Sequence, residues 1–195
     1  MTPISHFAIS LVLLFPLRAS AQQPDTSAKQ AMSKKAAAPA SAVKEPVKAG
    51  DMVPMFALRK FGGNFVFLKH SCGKNKKNPA VKAVLLDFFA TTCAPCVAQL
   101  DELQALAGKY APKGLETFLI SIDTTPEEAL PAFFKKKKIN LPVLTDMYRK
   151  TLSNYGFSAI PQTVLIDGDC KAVYVTKKED KGYSAIADSL EGLLK

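Results

Sequence analysis

Residues Ala83 to Ala90 (AVLLDFFA) form an apolar run broken only by Asp87, and Cys93-Ala94-Pro95-Cys96 follows almost at once. A run that is apolar at every position, rather than at alternate ones, suits a strand covered on both faces. Such a strand commits the chain to a sheet with a layer on either side. Beyond it, Ala94 to Tyr110 reads as a helix. Val97, Leu100, Leu103, Leu106, Ala107 and Tyr110 recur at three- and four-residue spacing and share one face. The two cysteines therefore stand where a buried strand turns into a helix.

The remaining pattern fills in both layers. Met52 to Leu58 and Phe65 to Leu68, parted by Gly62-Gly63-Asn64, predict a β-hairpin. His70 to Lys82 is a loop with Cys72, Gly73, Pro79 and several lysines. Leu115 to Ile122 predicts the next strand. Thr125 with Glu128 predicts a capping box, with Pro126 at the first helical position. Pro131 predicts a kink or restart in that helix. The run Lys135 to Lys138 suits a solvated helix end, where cations complement the dipole. Leu141 to Leu144 is a short extended piece, and Tyr148 to Tyr155 is a short helix closed by Gly156. Gln162 to Ile166 and Lys171 to Thr176 flank the turn Asp167-Gly168-Asp169-Cys170 and form a second hairpin. Gly182 to Leu194 closes the chain as a helix, with Tyr183, Ile186, Ala187, Leu190 and Leu194 on one face. This order implies an α/β fold, a mixed central sheet flanked by helices with an extra N-terminal β-hairpin.

The first quarter of the chain has a different character. Phe7 to Leu17 is apolar, and Ala19-Ser20-Ala21 is a small-x-small sequence suited to signal peptidase. Residues 1–21 are therefore expected to be a signal peptide, cut after Ala21. The stretch before the apolar run lacks Lys and Arg, so an uncleaved membrane anchor is the rival. Residues 22–49, rich in Ala, Lys, Pro and Ser, read as a disordered linker, which leaves 50–195 as the folded domain. The chain of 195 residues carries a net charge of +9, but its arginines are only Arg18, Arg59 and Arg149. No interleaving of aromatics with arginine suggests a nucleic-acid partner.

The chemistry centres on Cys93 and Cys96. At a helix N-terminus, unpaired N–H groups and the macrodipole favour a thiolate at Cys93. That thiolate can attack a disulfide, and Cys96, one turn along, can attack the mixed disulfide in turn. Pro95 is tolerated in the first turn and stiffens the loop. Zinc sites share this cysteine spacing but need four ligands. Cys72, Cys170, His6 and His70 supply no matching pair, so no metal site is expected.

Val84 to Cys96 (VLLDFFATTCAPC) resembles the active-site strand and loop of the thioredoxin superfamily. Ser153 to Tyr174 (SNYGFSAIPQTVLIDGDCKAVY) resembles its second landmark, a cis-proline followed by a hairpin. With the N-terminal hairpin and leader, residues 50–195 are similar to the exported TlpA/ResA-like branch. The resemblance implies a thioredoxin-like fold and a thiol–disulfide oxidoreductase with no cofactor beyond its redox-active disulfide Cys93–Cys96. It implies that Pro161 is the cis-proline and that the Ile160 backbone pairs with an extended substrate, with Thr92, Ala94 and Pro95 on the binding rim. A trans proline at a strand start is the alternative. Asp87 matches the family's buried acid, which would take a proton from Cys96; an edge-strand acid reaching solvent is the alternative. Thr92 stands where that family usually has tryptophan, which bears on partner choice. Pro95 before the second cysteine resembles reducing thioredoxins more than strong oxidases.

In such a sheet, Cys72 and Cys170 would meet at the pole opposite the dithiol. A structural disulfide Cys72–Cys170 is one expectation, and two separate thiols are the other. The implied partners are protein dithiols or disulfides of exported proteins and an upstream electron donor. The implied location is the periplasm, with a membrane role only if the leader is retained. A peroxiredoxin-like peroxidase is a rival, but its peroxidatic cysteine wants Pro seven and Thr three positions earlier. Leu86 and Ala90 stand there relative to Cys93. A Cu(I)-binding module is a second rival, since soft thiolates bind Cu(I), although the methionines are scattered.

Overall fold

The computed structural model describes residues 45–177, 180 and 182–195. The expected signal peptide, 1–21, and most of the expected linker lie outside the described residues. The last linker residues, 45–49, are described and already join the fold. Val47 is buried, and its N–H donates to the Tyr155 carbonyl at 3.0 Å. Gly156 leaves room for this strap, because a Cβ there would overlap the Glu45 carbonyl. The packed chain thus begins before Gly50, where an Ala/Lys/Pro composition gives no sign of it.

Among the described residues, seven strands form one mixed sheet in the order β2-β1-β5-β4-β3-β6-β7. They are β1 Ala57–Lys60, β2 Phe65–Phe67, β3 Ala83–Phe89, β4 Leu115–Ser121, β5 Val143–Thr145, β6 Gln162–Asp167 and β7 Ala172–Val175. The helices are α1 Ala94–Tyr110, α2 Pro126–Lys136, α3 Lys150–Asn154 and α4 Ser184–Leu193. None of the described helices is long and apolar enough to cross a membrane.

Strand β3 lies between β4, parallel to it, and β6, antiparallel to it. Every residue of β3 is buried, as the unbroken apolar run requires. Val84, Leu86 and Phe88 enter the core with Tyr155 and Phe157 beside α3. Leu85 and Phe89 enter the opposite core, beneath α1, α2 and α4. Burying a side chain of this size contributes about 1.5–3 kcal/mol, so a slip of one residue would forfeit both faces. Helix α1 buries Cys96, Leu100, Leu103, Ala107 and Tyr110 on the stripe its spacing predicts.

Three local expectations change. The strand expected from Met52 starts only at Ala57, because residues 50–53 are tied to the far edge of the sheet. Gly50 N–H donates to Ala172 O, Ala172 N–H to Asp51 O, and Val53 N–H to Cys170 O. Pro54 then offers no N–H with which to continue. The capping box does not form. Thr125 caps α2 with no side-chain hydrogen bond, and its carbonyl instead accepts from the Glu128 and Ala129 N–H groups. Helix α2 also runs on through Pro131 to Lys136. Leu130 and Phe133, buried on either side of the proline, hold that helix on the sheet despite the lost backbone bond.

The structure joins Cys72 to Cys170, with an S–S distance of 2.02 Å and Cα atoms 5.2 Å apart. Both residues are buried. Cys170 ends the β6–β7 turn, near Asp167, which pairs with Ala83 at the start of β3. The bridge therefore pins the lysine-rich loop to the pole where β3 begins. It spans 98 residues of chain, a length at which the chain-entropy account gives about 4–5 kcal/mol. The double variant C72A/C170A is expected to lose about 2–5 kcal/mol of unfolding free energy in a urea titration. An unchanged midpoint would mean that the bridge adds nothing to stability.

Candidate active site

The opposite pole, where β3 ends, holds the second disulfide. Cys93 and Cys96 are bonded, with Cα atoms 5.3 Å apart. Cys93 is the N-cap of α1, in extended backbone, with Pro95 in the first turn. The Cys93 Sγ accepts a hydrogen bond from the Cys96 N–H at 3.3 Å. The two sulfurs are unequal in access: Cys96 is 2 % exposed, whereas Cys93 is half-buried and Thr92, Ala94 and Pro95 around it are exposed. A thiolate at Cys93 would have both the open helix N-terminus and a directed N–H donor to stabilise it. Of the two sulfurs, that of Cys93 is the one open to a bulky reactant, while that of Cys96 is covered.

The loop before Cys93 is held by residues that sequence reasoning missed. The Thr91 N–H and hydroxyl both donate to the Asp123 carboxylate, the hydroxyl at 2.9 Å. Ser121, at the end of β4, donates to the same carboxylate at 2.7 Å. Cys93 N–H closes the turn onto Ala90 O at 3.0 Å. The approach to the dithiol is thus bolted to the neighbouring strand. An acid just past a strand end gives no sequence sign of this role, since such residues ordinarily face water.

Asp87 is 1 % exposed. The central place of β3 rules out the edge-strand alternative, in which this acid reaches solvent. Like Leu85 and Phe89, two positions to either side, it points to the face that carries Cys96. Its Oδ1 accepts from Thr163 Oγ1 at 2.7 Å and from the Tyr183 hydroxyl at 3.2 Å. Burial pushes the carboxyl up to about 7, and the two hydroxyl donors oppose that rise. Thr163 is the direct partner of Asp87 across the β3–β6 ladder. Tyr183 comes from the start of α4, 96 residues away. Neither carries a local signal of this role.

The Ile160–Pro161 peptide is cis. Pro161 immediately precedes Gln162, which pairs with Phe88 near the end of β3, so this peptide lies at the dithiol end of the sheet. Ile160 and Cys93 are both half-buried against the same two cores. Two hollows flank this loop. One, of about 510 Å³, is walled by Val47, Phe157, Ala159 and Val175. The other, of about 450 Å³, is walled by Pro161, Thr163, Lys177, Asp180 and Tyr183. Cys93, Cys96, Thr92, Ala94, Pro95, Asp87, Ile160 and Pro161 thus share one end of the sheet, while Cys72 and Cys170 sit at the other. Among the described residues, no group of three or more His, Cys, Asp or Glu is placed to hold a metal ion.

Comparison with known proteins yields consistent likenesses. The AhpC/TSA family model matches residues 49–175. A thiol-disulfide oxidoreductase, ResA, of Bacillus anthracis is 31% identical over 145 residues, covering 72% of this chain and 79% of that one. The ResA of Bacillus subtilis (strain 168) is 28% identical over 132 residues, covering 68% and 69%. Among solved structures, a Chlorobium tepidum protein assigned as the thiol:disulfide interchange protein DsbE superposes with a TM-score of 0.65 at 25% identity, covering 76% of this chain and 99% of that one. The peroxidoxin BcpB of Mycobacterium tuberculosis gives 0.61 at 22% identity, covering 75% and 96%. That last likeness shows the fold alone, so the site must decide the chemistry.

The buried acid makes stability depend on pH with a definite sign. Folding favours its protonated form, so the native state holds a proton that the unfolded chain releases near 3.8, and keeps it up to about 7. Wild-type stability should therefore fall as pH rises through that window and level off above it. Asp87→Asn removes this penalty. It should be more stable than wild type at about pH 8, by up to the order of 4 kcal/mol, with the gap closing toward about pH 4. Thermal melts across that range check it; a gap independent of pH would contradict the raised value.

Proposed function

We propose, for a chain that belongs to the AhpC/TSA family and is a thiol–disulfide oxidoreductase, that it reduces disulfides of exported proteins through Cys93 and Cys96. The observation that carries this reading is the inequality of the two sulfurs. One is half-exposed at a helix N-terminus with an N–H aimed at it, and the other is buried behind it.

In the reduced enzyme the Cys93 thiolate attacks one sulfur of the substrate disulfide. A Cys93–substrate bond forms, the substrate S–S bond breaks, and the departing sulfur takes a proton from solvent. Cys96 then gives its proton to the Asp87 carboxylate, directly or through water, and attacks the Cys93 sulfur. The Cys93–Cys96 bond forms, the mixed disulfide breaks, and the substrate's second thiolate leaves. Two electrons have passed from the dithiol to the substrate. An external donor must restore them, so the partners are protein disulfides on one side and an upstream dithiol on the other.

Substrate grip is assigned to the rim of Thr92, Ala94 and Pro95 and to the cis peptide at Ile160–Pro161. The Ile160 backbone would pair with an extended segment of the substrate. A rim with threonine in place of a large aromatic suits less apolar segments. The reducing direction rests on Pro95, the residue type found before the second cysteine in reducing thioredoxins. Export rests on the leader: cleavage after Ala21 would send out a protein that starts at Gln22 and carries the dithiol domain.

Two experiments test this. The purified domain should accelerate insulin reduction by dithiothreitol, and Cys93→Ser should return the rate to the uncatalysed one. Cys96→Ser should instead accumulate a mixed disulfide with insulin chains. If wild type and Cys93→Ser act alike, the reading fails. N-terminal sequencing of protein recovered from the exported fraction should begin at Gln22; an intact leader would assign the chain to the membrane face instead.

A further inference from the structure

Asp87 is expected to act as a base, yet it is shut from water, and what surrounds its carboxyl decides when it can accept a proton. Two hydroxyls converge on one oxygen, Oδ1: Thr163 at 2.7 Å and Tyr183 at 3.2 Å. Both hydroxyls come from residues that are 3 % exposed. A hydroxyl that donates to a carboxylate favours its ionised form. Tyr183 is itself held in place. Its N–H donates to Glu102 Oε1 at 3.0 Å, and Glu102 lies on α1, the helix that begins at the dithiol. The Glu102 carboxylate is packed so closely that a Cβ on Gly182 would stand 2.8 Å from its oxygens. Gly182 also has φ +69°, so glycine suits the position on both counts.

We infer that Thr163 and Tyr183 are positioning residues of the reaction: their hydroxyls, the second braced by Glu102, hold the Asp87 carboxyl as a proton acceptor for Cys96. The start of the C-terminal helix thereby becomes part of the active site, although it lies far along the chain from either cysteine. The inference rests on the reading of Asp87 as the base in resolution. Burial alone favours the protonated acid. The two donors pull against burial, so removing either one should raise the pH at which Cys96 is released to attack. The charged groups beside this cluster are Glu102 on α1 and, at the adjoining hollow, Lys177 and Asp180, and the Cys93–Cys96 pair lies on the same face of the sheet. All of these are common to the variants below, so a shift confined to the hydroxyl variants belongs to the hydroxyls.

The test follows the resolving step alone. Reduced protein is mixed with a chromogenic aryl disulfide, and release of the second thionitrobenzoate by Cys96 is timed between about pH 5 and pH 9. The inflection belongs to the coupled Asp87–Cys96 pair rather than to either group. Tyr183→Phe and Thr163→Val should each move it upward. The rate near neutral pH should fall about 3- to 10-fold and recover to wild type at the alkaline end. Thr163→Ser, which keeps the hydroxyl, should retain the wild-type profile. Unmoved inflections in Tyr183→Phe and Thr163→Val overturn the inference. So does a loss that is equal at every pH and shared by Thr163→Ser, since that is a packing defect. If Tyr183→Phe does not fold, the Thr163→Val and Thr163→Ser pair decides alone. Asp87→Asn separates the two levels: an inflection that survives in it removes Asp87 as the base, whereas one lost there but unmoved in the hydroxyl variants refutes only the present inference.

Discussion

Strand β3 lies between β4 and β6 with helices on both sides, and all of its residues are buried. Most of the molecule depends on that double covering. A strand with no wet face has one register in which both cores close, because a slip exchanges the faces. That register sets where β3 ends, hence where Cys93 stands and where α1 begins. It also carries Asp87 out of water, since no position in such a strand reaches solvent. The acid's raised proton affinity is a direct consequence of the strand's place in the sheet.

The two disulfides show how the same bond takes different roles from its surroundings. Cys93–Cys96 lies at a helix N-terminus, with one sulfur half-exposed and an N–H directed at it. A helix N-terminus and a directed N–H are the surroundings that favour a thiolate when such a bond opens. Cys72–Cys170 is closed off on all sides and ties a loop to a turn across a long stretch of chain. Its sulfurs have no access to a protein thiol. The sheet separates the two bridges to opposite poles.

Much of this was legible in the residues. The unbroken run Ala83 to Ala90 marked β3, and the three- and four-residue spacing after Cys93 marked α1, because each period reports its own burial. Other elements were misjudged where a distant contact outweighed a local sign. Met52 and Val53 look like the start of a hairpin but are fastened to the far edge beside Cys170. Val47 sits in a tract of linker composition yet packs beneath Tyr155. Thr125 and Glu128 have the spacing of a capping box, but the backbone of Thr125 does the work without its side chain. Pro131 would end an isolated helix, whereas its buried neighbours keep α2 whole.

By itself the sequence determined the order of strands and helices, the dithiol, and the dithiol's place between a buried strand and a helix. These are features of neighbouring residues, and neighbouring residues carry them as periodicity, turn chemistry and spacing. The surroundings of the dithiol were decided only by the tertiary structure. Asp123 clamps Thr91 from just past the end of β4, Thr163 reaches Asp87 across 76 residues of chain, and Tyr183 reaches it across 96. A threonine, a tyrosine and an aspartate look alike in sequence whether they face water or a buried carboxyl. The difference comes from which strands pair and which helix end is laid over them, and that requires the whole sheet to be assembled.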